Sequence, residues 1–158
     1  MTDLIAVLDG NPFVSWCVFI FGLIWGSFFN VCIIRIPAEQ SVVRKRSHCP
    51  ECGITIPWYL NIPVLSFLWL WGKCHNCKAS ISIQYPIIEL ATGVLYLWLF
   101  FKFGLSLQFL SYAVFFSALL VISVIDLRHQ IIPNEISLPG IAVGVGMALL
   151  TGDIFWWE

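Results

Sequence analysis

The sequence predicts an all-α integral membrane protein of about four transmembrane helices, with one small polar domain inserted after the first helix. Of its 158 residues, 59% are hydrophobic and only 11% are charged, and the mean hydropathy is +0.90. Water-soluble chains of this length rarely have such a composition. Four apolar runs of helical length are separated by short polar turns and by one long polar loop.

The distribution of charge indicates which side of the membrane the long loop occupies. Six of the eight Lys and Arg residues lie between residues 35 and 80. Loops rich in Lys and Arg stay on the cytoplasmic side of a membrane, so we expect this loop to be cytoplasmic. With a net charge of -1 and no basic stripe, the chain is not expected to bind nucleic acid.

Residues 1–36 are predicted to hold an outer N-terminal segment and the first transmembrane helix. The first twelve residues contain Asp3 and Asp9 but no Lys or Arg. This is unlike a signal peptide and places the N-terminus outside. Residues 13–34 form an apolar run long enough to cross a hydrocarbon core of about 30 Å. Small residues at helical spacing in this run would let a second helix approach closely; they are Gly22, Gly26 and Ser27.

Asn30 is a polar amide within the same run and needs a hydrogen-bond partner. It indicates a helix–helix contact or a site, or else an amide satisfied by neighbouring backbone groups. Cys17 and Cys32 are expected to be small apolar packing residues of the span.

Residues 37–85 contain two Cys-x-x-Cys pairs separated by 21 residues. Four thiolates in two such pairs suit one tetrahedral Zn²⁺, because each pair presents two sulfurs to one point. The alternatives are two disulfides or a redox dithiol, and His75 could replace one sulfur. A cytoplasmic loop keeps its thiols reduced, which favours a metal, although spacing alone does not separate zinc from iron. The predicted ligands of this zinc-binding loop domain are Cys49, Cys52, Cys74 and Cys77.

The loop domain also contains an apolar segment, Val64 to Trp71, flanked by aromatic residues. The segment is too short to cross a membrane, so we expect it to lie at the membrane interface. A domain of fewer than about 50 residues buries only a small hydrophobic core. Stabilisation by a structural metal ion is therefore physically reasonable.

Residues 86–158 are predicted to form the remaining membrane helices. Pro86 suits the first turn of a second transmembrane helix over 87–101. Glu89 lies near the start of that helix. It either interacts with the helix dipole as a cap or belongs to a polar site at the membrane boundary. The other members of such a site would be Asn30, Asn61 and Gln84.

After an outer turn at 102–104, a third helix is predicted over 107–125, ending at Asp126 on the cytoplasmic side. An acid at this place is a plausible general acid or base; otherwise it pairs with Arg128 or reaches towards water.

A fourth helix is predicted over 136–150, and residues 151–158 should lie outside. Asn134 and Glu135 are expected to cap it, and Pro139 should introduce an early kink.

Several short motifs follow one another along the chain. They are Gly26-Ser27-Phe28-Phe29-Asn30-Val31 with Arg35-Ile36-Pro37, the two cysteine pairs around Asn61-Ile62-Pro63, Gln84-Tyr85-Pro86 with Glu89, and Asp126 before Ile132-Pro133-Asn134. Together they cover almost the whole chain and are far more specific than a lone Cys-x-x-Cys. In these motifs the chain resembles the type IV prepilin peptidases.

The resemblance implies a membrane aspartic endopeptidase of the bacterial inner membrane, serving type IV pilus, type II secretion and competence systems. Such an enzyme cleaves the leader from prepilin-like proteins at the cytoplasmic face. It commonly also N-methylates the new terminus with S-adenosylmethionine, and the zinc-organised loop is associated with that methylation. The implied partners are prepilin-like substrates and membrane lipid.

The resemblance also assigns Asp126 as the first of two catalytic aspartates. Both are needed, because one carboxylate activates water while its protonated neighbour polarises the scissile carbonyl. The second family aspartate follows a Gly-x-Gly-Asp motif that does not occur in this sequence. Asp153 would lie across the membrane, roughly 25 Å or more from Asp126. We therefore expect an N-terminal portion of such a peptidase; the alternatives are a methyltransferase alone and a non-enzymatic zinc-binding membrane scaffold.

Overall fold

The protein is a bundle of apolar helices with a loop domain inserted between the first two long ones. A computed structural model describes residues 11–43 and 46–151. The predictions for Asp3, Asp9 and Asp153, and the charges of Arg44 and Lys45, lie outside the described residues. The helices are α1 (Pro12–Arg35), α2 (Leu65–Trp69), α3 (Gln84–Phe103), α4 (Leu107–His129) and α5 (Asn134–Thr151), with a 3-10 turn at Trp58–Leu60.

Helices α1, α3 and α4 are each long and apolar enough to cross a membrane. Helix α5 is also apolar, but its apolar part, Asn134–Leu150, is shorter. Across the two described stretches, extended pairing is limited to isolated bridges, His48 with Thr55 and Lys73 with Ser80. The predicted all-α membrane fold class is therefore confirmed; within the two described stretches, three helices have the length of a membrane span and α5 is a shorter fourth helix.

The helices extend beyond the apolar runs that predicted them. Helix α3 begins at Gln84 rather than after Pro86, so Glu89 is not in its first turn. The interpretation of Glu89 as a helix cap is therefore wrong. An apolar run marks the part of a helix that lies in hydrocarbon, whereas the helix itself continues through polar residues at the interface.

Helix α4 likewise continues past its predicted end, and Asp126 lies within its last turn. The helix stops at Gln130, which takes the left-handed conformation at φ 54°. The N–H of Gln130 donates to the Asp126 carbonyl at 2.8 Å. Asn134 and Glu135 are the first residues of α5 instead of preceding it.

Helices α1 and α3 form the most extensive helix pair in the described residues. A Cβ added at Gly22 would lie 2.7 Å from the Cα of Gly93, and one added at Gly26 would lie 2.7 Å from the Cα of Glu89. The two backbones touch at both places, so the prediction that these small residues admit a neighbouring helix is confirmed.

We expect Gly26→Ala to destabilise the protein by about 1–3 kcal/mol, because the added methyl group would push two helix backbones apart. Thermal unfolding of the purified protein in detergent should show a lower Tm for this variant. The matched control is Gly144→Ala in α5, where an added Cβ meets nothing within 4 Å. Alanine also favours helix over glycine, so the control should not lower Tm. A Tm for Gly26→Ala at or above that of the unchanged protein would contradict this packing.

The outer surface of the bundle is apolar, as expected where helices face lipid. Phe13, Trp16 and Ile24 of α1 are among its many exposed large hydrophobic residues. Cys32 is buried in the core, as predicted. Cys17 is exposed, so its assignment as a packing residue is wrong. When one face of a helix contacts protein and the other contacts hydrocarbon, both faces are apolar. The sequence therefore does not indicate which face is which.

Candidate functional site

The four predicted metal ligands form one cluster. The sulfur atoms of Cys49, Cys52, Cys74 and Cys77 all lie within 4.8 Å of one another, and Sγ of Cys49 lies 3.8 Å from Sγ of Cys77. A tetrahedral zinc ion with Zn–S bonds of about 2.3 Å holds its sulfurs about 3.8 Å apart, so this donor set fits the ion. The His75 ring is not part of the group.

Both cysteine pairs lie in the same kind of turn. In each turn, the N–H of the first cysteine donates to the carbonyl of the residue five positions later. The N–H of the residue that follows the second cysteine donates to the carbonyl of the first cysteine. These donor–acceptor pairs are Cys49–Ile54, Gly53–Cys49, Cys74–Ala79 and Lys78–Cys74, at 2.8–3.1 Å. The residue after the second cysteine has a left-handed backbone in both turns, with φ 68° at Gly53 and 62° at Lys78. The two halves of the cluster are therefore built alike and aim their sulfurs at one point.

Hydrogen bonds and crowding shift the pKa values of the clustered thiols in opposite directions. The Ile54 N–H and the Asn76 side-chain amide lower the pKa of Cys52 to about 6. At Cys77 the hydrogen bond from the Ala79 N–H also lowers the pKa. Partial desolvation and the neighbouring sulfurs outweigh it and raise the pKa of Cys77 to about 11. The thiolate is the form that binds a metal, so a crowded group of this kind gains from a bound cation.

Asn30 joins α1 to the beginning of α3. Its side chain is fully buried. Nδ2 donates to the Gly26 carbonyl at 3.3 Å and to the Tyr85 carbonyl at 3.1 Å, while Oδ1 accepts from Nε2 of Gln84 at 3.3 Å. The amide is thus satisfied both by its own helix and by the neighbouring one, as the two interpretations of Asn30 had separately predicted.

Glu89 joins α3 to the loop domain. Its side chain is 5% exposed, and Oε2 accepts a hydrogen bond of 2.7 Å from the Val64 N–H. The Ser27 side chain of α1 also bonds the carboxylate. A membrane helix and a loop segment 25 residues earlier in the chain therefore meet at one buried acid.

Val64, which donates to Glu89, has an unusual backbone. Its φ and ψ are 60° and -49°, and the N–H of Leu65 bonds the carbonyl of Pro63 across it. This is a γ-turn of the rare positive-φ kind, which is strained for a β-branched residue. Strain of this sort persists only where surrounding contacts hold it, and the Glu89 carboxylate is one such contact.

Arg35, at the end of α1, organises the first part of the loop. Its guanidinium is buried. Nη1 donates to the carbonyls of Ser41 and Val42 at 3.2 and 3.5 Å, and Nη2 donates to the carbonyl of Arg46 at 3.5 Å. The sequence had indicated Arg35 as a basic residue and as part of a family motif, but not as the residue that organises this part of the loop.

A cavity of about 500 Å³ lies between the loop domain and the helices. Three members of the polar site predicted at the membrane boundary are brought together here: Asn61, Gln84 and Glu89 line the cavity, and Asn30 bonds to Gln84 behind it. Asp126 is not among the lining residues; its side chain is exposed in the last turn of α4. Arg128, two residues further on, does line the cavity.

Comparisons with known proteins agree with the motifs. Residues 20–103 match the model of the bacterial peptidase A24 N-terminal domain, and residues 113–158 match that of the type IV leader peptidase family. No solved structure shows a significant match.

Similar curated proteins bear the name prepilin leader peptidase/N-methyltransferase. The one from Myxococcus xanthus (strain DK1622) is 41% identical over 142 residues, covering 90% of this chain and 42% of the relative. That from Bacillus subtilis (strain 168) is 43% identical over 119 residues, covering 75% and 48%. That from Stutzerimonas stutzeri is 37% identical over 178 residues, covering 94% and 62%.

The chain thus spans about half the length of the curated relatives it matches. Its three long apolar helices and these relatives identify it as a membrane protein. The resemblance found in the sequence motifs is confirmed, and the chain belongs to the type IV leader peptidase family through a bacterial peptidase A24 N-terminal domain and the family region that follows it.

Proposed function

We propose that this chain is part of a prepilin leader peptidase that also methylates the N-terminus it creates. The protein would cleave the leader of prepilin-like proteins at the cytoplasmic face of the bacterial inner membrane, in type IV pilus or type II secretion systems. The strongest support is that two regions matching family models, residues 20–103 and 113–158, follow one another along the chain. Asp126 lies in the second of them. Relatives named for both activities match 90% and 75% of this chain at 41% and 43% identity.

Asp126 is the proposed catalytic residue of this chain. Its exposed position at the end of α4 leaves it open to a peptide and to water. Hydrolysis by an aspartic peptidase needs two carboxylates sharing one proton, so that one takes a proton from water while the other donates to the carbonyl oxygen. We expect the partner carboxylate to come from a further helix of the full-length protein, since the Gly-x-Gly-Asp motif does not occur in the printed sequence.

We further propose zinc as the ion of the cysteine cluster, held by Cys49, Cys52, Cys74 and Cys77. The sulfur geometry and the matched turns support four thiolate ligands. A fully sulfur-coordinated zinc has no open position, so the ion would tie the two ends of the loop together. The proposed domains are residues 1–36, the zinc domain 37–85, and the helices 86–158.

The loop domain would lie on the cytoplasmic side and the N-terminus outside. Basic residues of the loop support this orientation. The segment Val64–Trp71 would rest on the membrane interface, where Trp side chains are favoured. Its Trp69 and Trp71 are 83% and 88% exposed.

The proposal is tested with the full-length protein in nanodiscs, a prepilin-like substrate and methyl-labelled S-adenosylmethionine. We expect a shortened product carrying the label on its new N-terminus. A label transferred to a pre-cleaved substrate without any cleavage of the precursor would instead favour a methyltransferase alone. A protein with bound zinc that does neither, but co-purifies with pilus or secretion components, would be the non-enzymatic scaffold.

A further inference from the structure

The four clustered cysteines differ in their access to water. Cys52 and Cys77, the second cysteine of each turn, are exposed, whereas Cys49 and Cys74 are buried. The buried two line the cavity between the loop domain and the helices, and the exposed two do not. Oxidation of a cysteine depends on how readily the oxidant reaches its sulfur. A small oxidant in the surrounding water can therefore reach one cysteine of each turn.

Sulfur atoms from different turns lie close enough to bond to each other. Sγ of Cys77 lies 3.8 Å from Sγ of Cys49, which is 28 residues earlier in the chain. A disulfide bond is about 2.05 Å long, so these two atoms would have to approach each other by less than about 2 Å. The side-chain amide of Asn76, in the second turn, also donates to Sγ of Cys52, in the first, at 3.7 Å. Contacts between protein groups therefore hold the two turns at a spacing from which a disulfide can form.

We propose that the cysteine cluster closes the loop domain in two interchangeable ways, depending on its redox state. In the reduced protein the four thiolates hold zinc, and this part rests on the proposed function. In the oxidised protein a disulfide between Cys49 and Cys77 joins the two turns, and the zinc is lost. A second closure matters here, because the buried hydrophobic residues in the described part of the loop are only Cys49 and Cys74. Little else would keep the ends of the domain together.

The oxidation balances with hydrogen peroxide, a two-electron oxidant. The exposed Cys77 sulfur attacks one peroxide oxygen, the O–O bond breaks, and a sulfenic acid and hydroxide form. The Cys49 sulfur then attacks the Cys77 sulfur, the S–S bond forms, and the S–O bond breaks to release a second hydroxide. The two sulfurs lose one electron each, and two protons convert the hydroxides to water. Two thiolates remain, too few for a tetrahedral zinc site.

The test begins with the unchanged full-length protein, purified under reducing conditions in nanodiscs and treated with hydrogen peroxide. About one zinc ion should be released for each pair of thiols lost. A dithiol reductant with added zinc should restore both the thiols and the bound metal.

Tryptic peptides identify the cysteines that are joined. Residues 47–73 contain Cys49 and Cys52 and have no internal Lys or Arg, and residues 74–78 contain Cys74 and Cys77. A bond between the turns therefore links peptide 47–73 to peptide 74–78, whereas a bond within a turn leaves them separate. Fragmentation of the linked pair should place the bond between Cys49 and Cys77.

Limited proteolysis measures whether the disulfide closes the loop. The oxidised protein should be cut within residues 46–83 at least about tenfold more slowly than the reduced, chelator-treated protein. Both lack zinc, so the difference would come from the disulfide.

Two matched double variants separate closure between the turns from oxidation in general. Cys52→Ala with Cys74→Ala retains the pair Cys49 and Cys77, and Cys74→Ala with Cys77→Ala retains Cys49 and Cys52 of a single turn. Each has lost two zinc ligands. After peroxide treatment, only the first variant should gain resistance to proteolysis.

Disulfides within the turns as the main product would overturn the inference, and so would loss of thiols without any linked peptide. Release of zinc with no gain in resistance over the chelated protein would also overturn it. The metal content measured before peroxide is added tests the zinc proposal separately. Cleavage and methyl transfer by the reduced protein test the proposed activities, whichever disulfide forms.

Discussion

Asp126→Asn in the full-length protein is expected to reduce leader cleavage by at least about 10³-fold. Asparagine has nearly the same shape as aspartate but can neither take a proton from water nor share one with a second carboxylate, and loss of such a group typically costs several orders of magnitude in rate. Because the side chain is exposed, the substitution should change stability by no more than about 0.5 kcal/mol. Mass spectrometry of a prepilin-like substrate over time would measure the rate.

The control for this experiment is Glu135→Gln, at another exposed carboxylate, in the first turn of α5. It should cleave at nearly the normal rate. Zinc content should be the same in both variants, since neither residue is a cysteine ligand. Normal cleavage by Asp126→Asn would remove Asp126 from the mechanism, whatever the control does.

Cys74→Ser should eliminate metal binding and loosen the loop domain. Serine is a poor zinc ligand, and zinc content should fall from about one ion per chain to a small fraction of that. The consequence for structure should be large, because the buried hydrophobic residues in the described part of the loop are Cys49 and Cys74 alone. A domain without a core of its own depends on its metal for folding.

Metal analysis and limited proteolysis of the purified protein would measure both effects. We expect rapid cutting within residues 46–83 in Cys74→Ser and in the chelator-treated protein. Cys17→Ser, at an exposed cysteine in α1, should retain both its bound zinc and its resistance to proteolysis. A Cys74→Ser protein with full zinc content and an intact loop would disprove a four-cysteine structural site.

Much of the bundle could be predicted from the length and hydropathy of the apolar runs. Helix α1 differs from its predicted run, 13–34, by one residue at each end. The predicted ranges of α3 and α4 lie at the right positions in the chain but are shorter than the helices. Polar residues such as Gln84 and Arg128 continue each helix beyond its apolar part. A hydropathy pattern has no signal for that continuation.

The cysteine cluster could also be predicted, since local spacing already brings each pair of sulfurs together. The contact between Glu89 and Val64 could not. The two residues are 25 positions apart, and the γ-turn that aims the Val64 N–H has no sequence signature beyond the preceding Pro63. The organising role of Arg35 was missed for the same reason: its acceptors are backbone carbonyls, which every residue possesses.

The sequence by itself determined the membrane class, the approximate positions of the long helices, the four cysteines that cluster and the family, because each depends on composition or on short local motifs and their spacing. Only the tertiary structure decided that the helix packed against Gly22 and Gly26 is α3, that Glu89 is a buried link to the loop rather than a cap, and that a cavity lies between the loop and the helices. These features depend on backbone groups and charges from distant parts of the chain meeting at van der Waals distance. Such meetings follow from packing of the whole bundle, which no local pattern encodes.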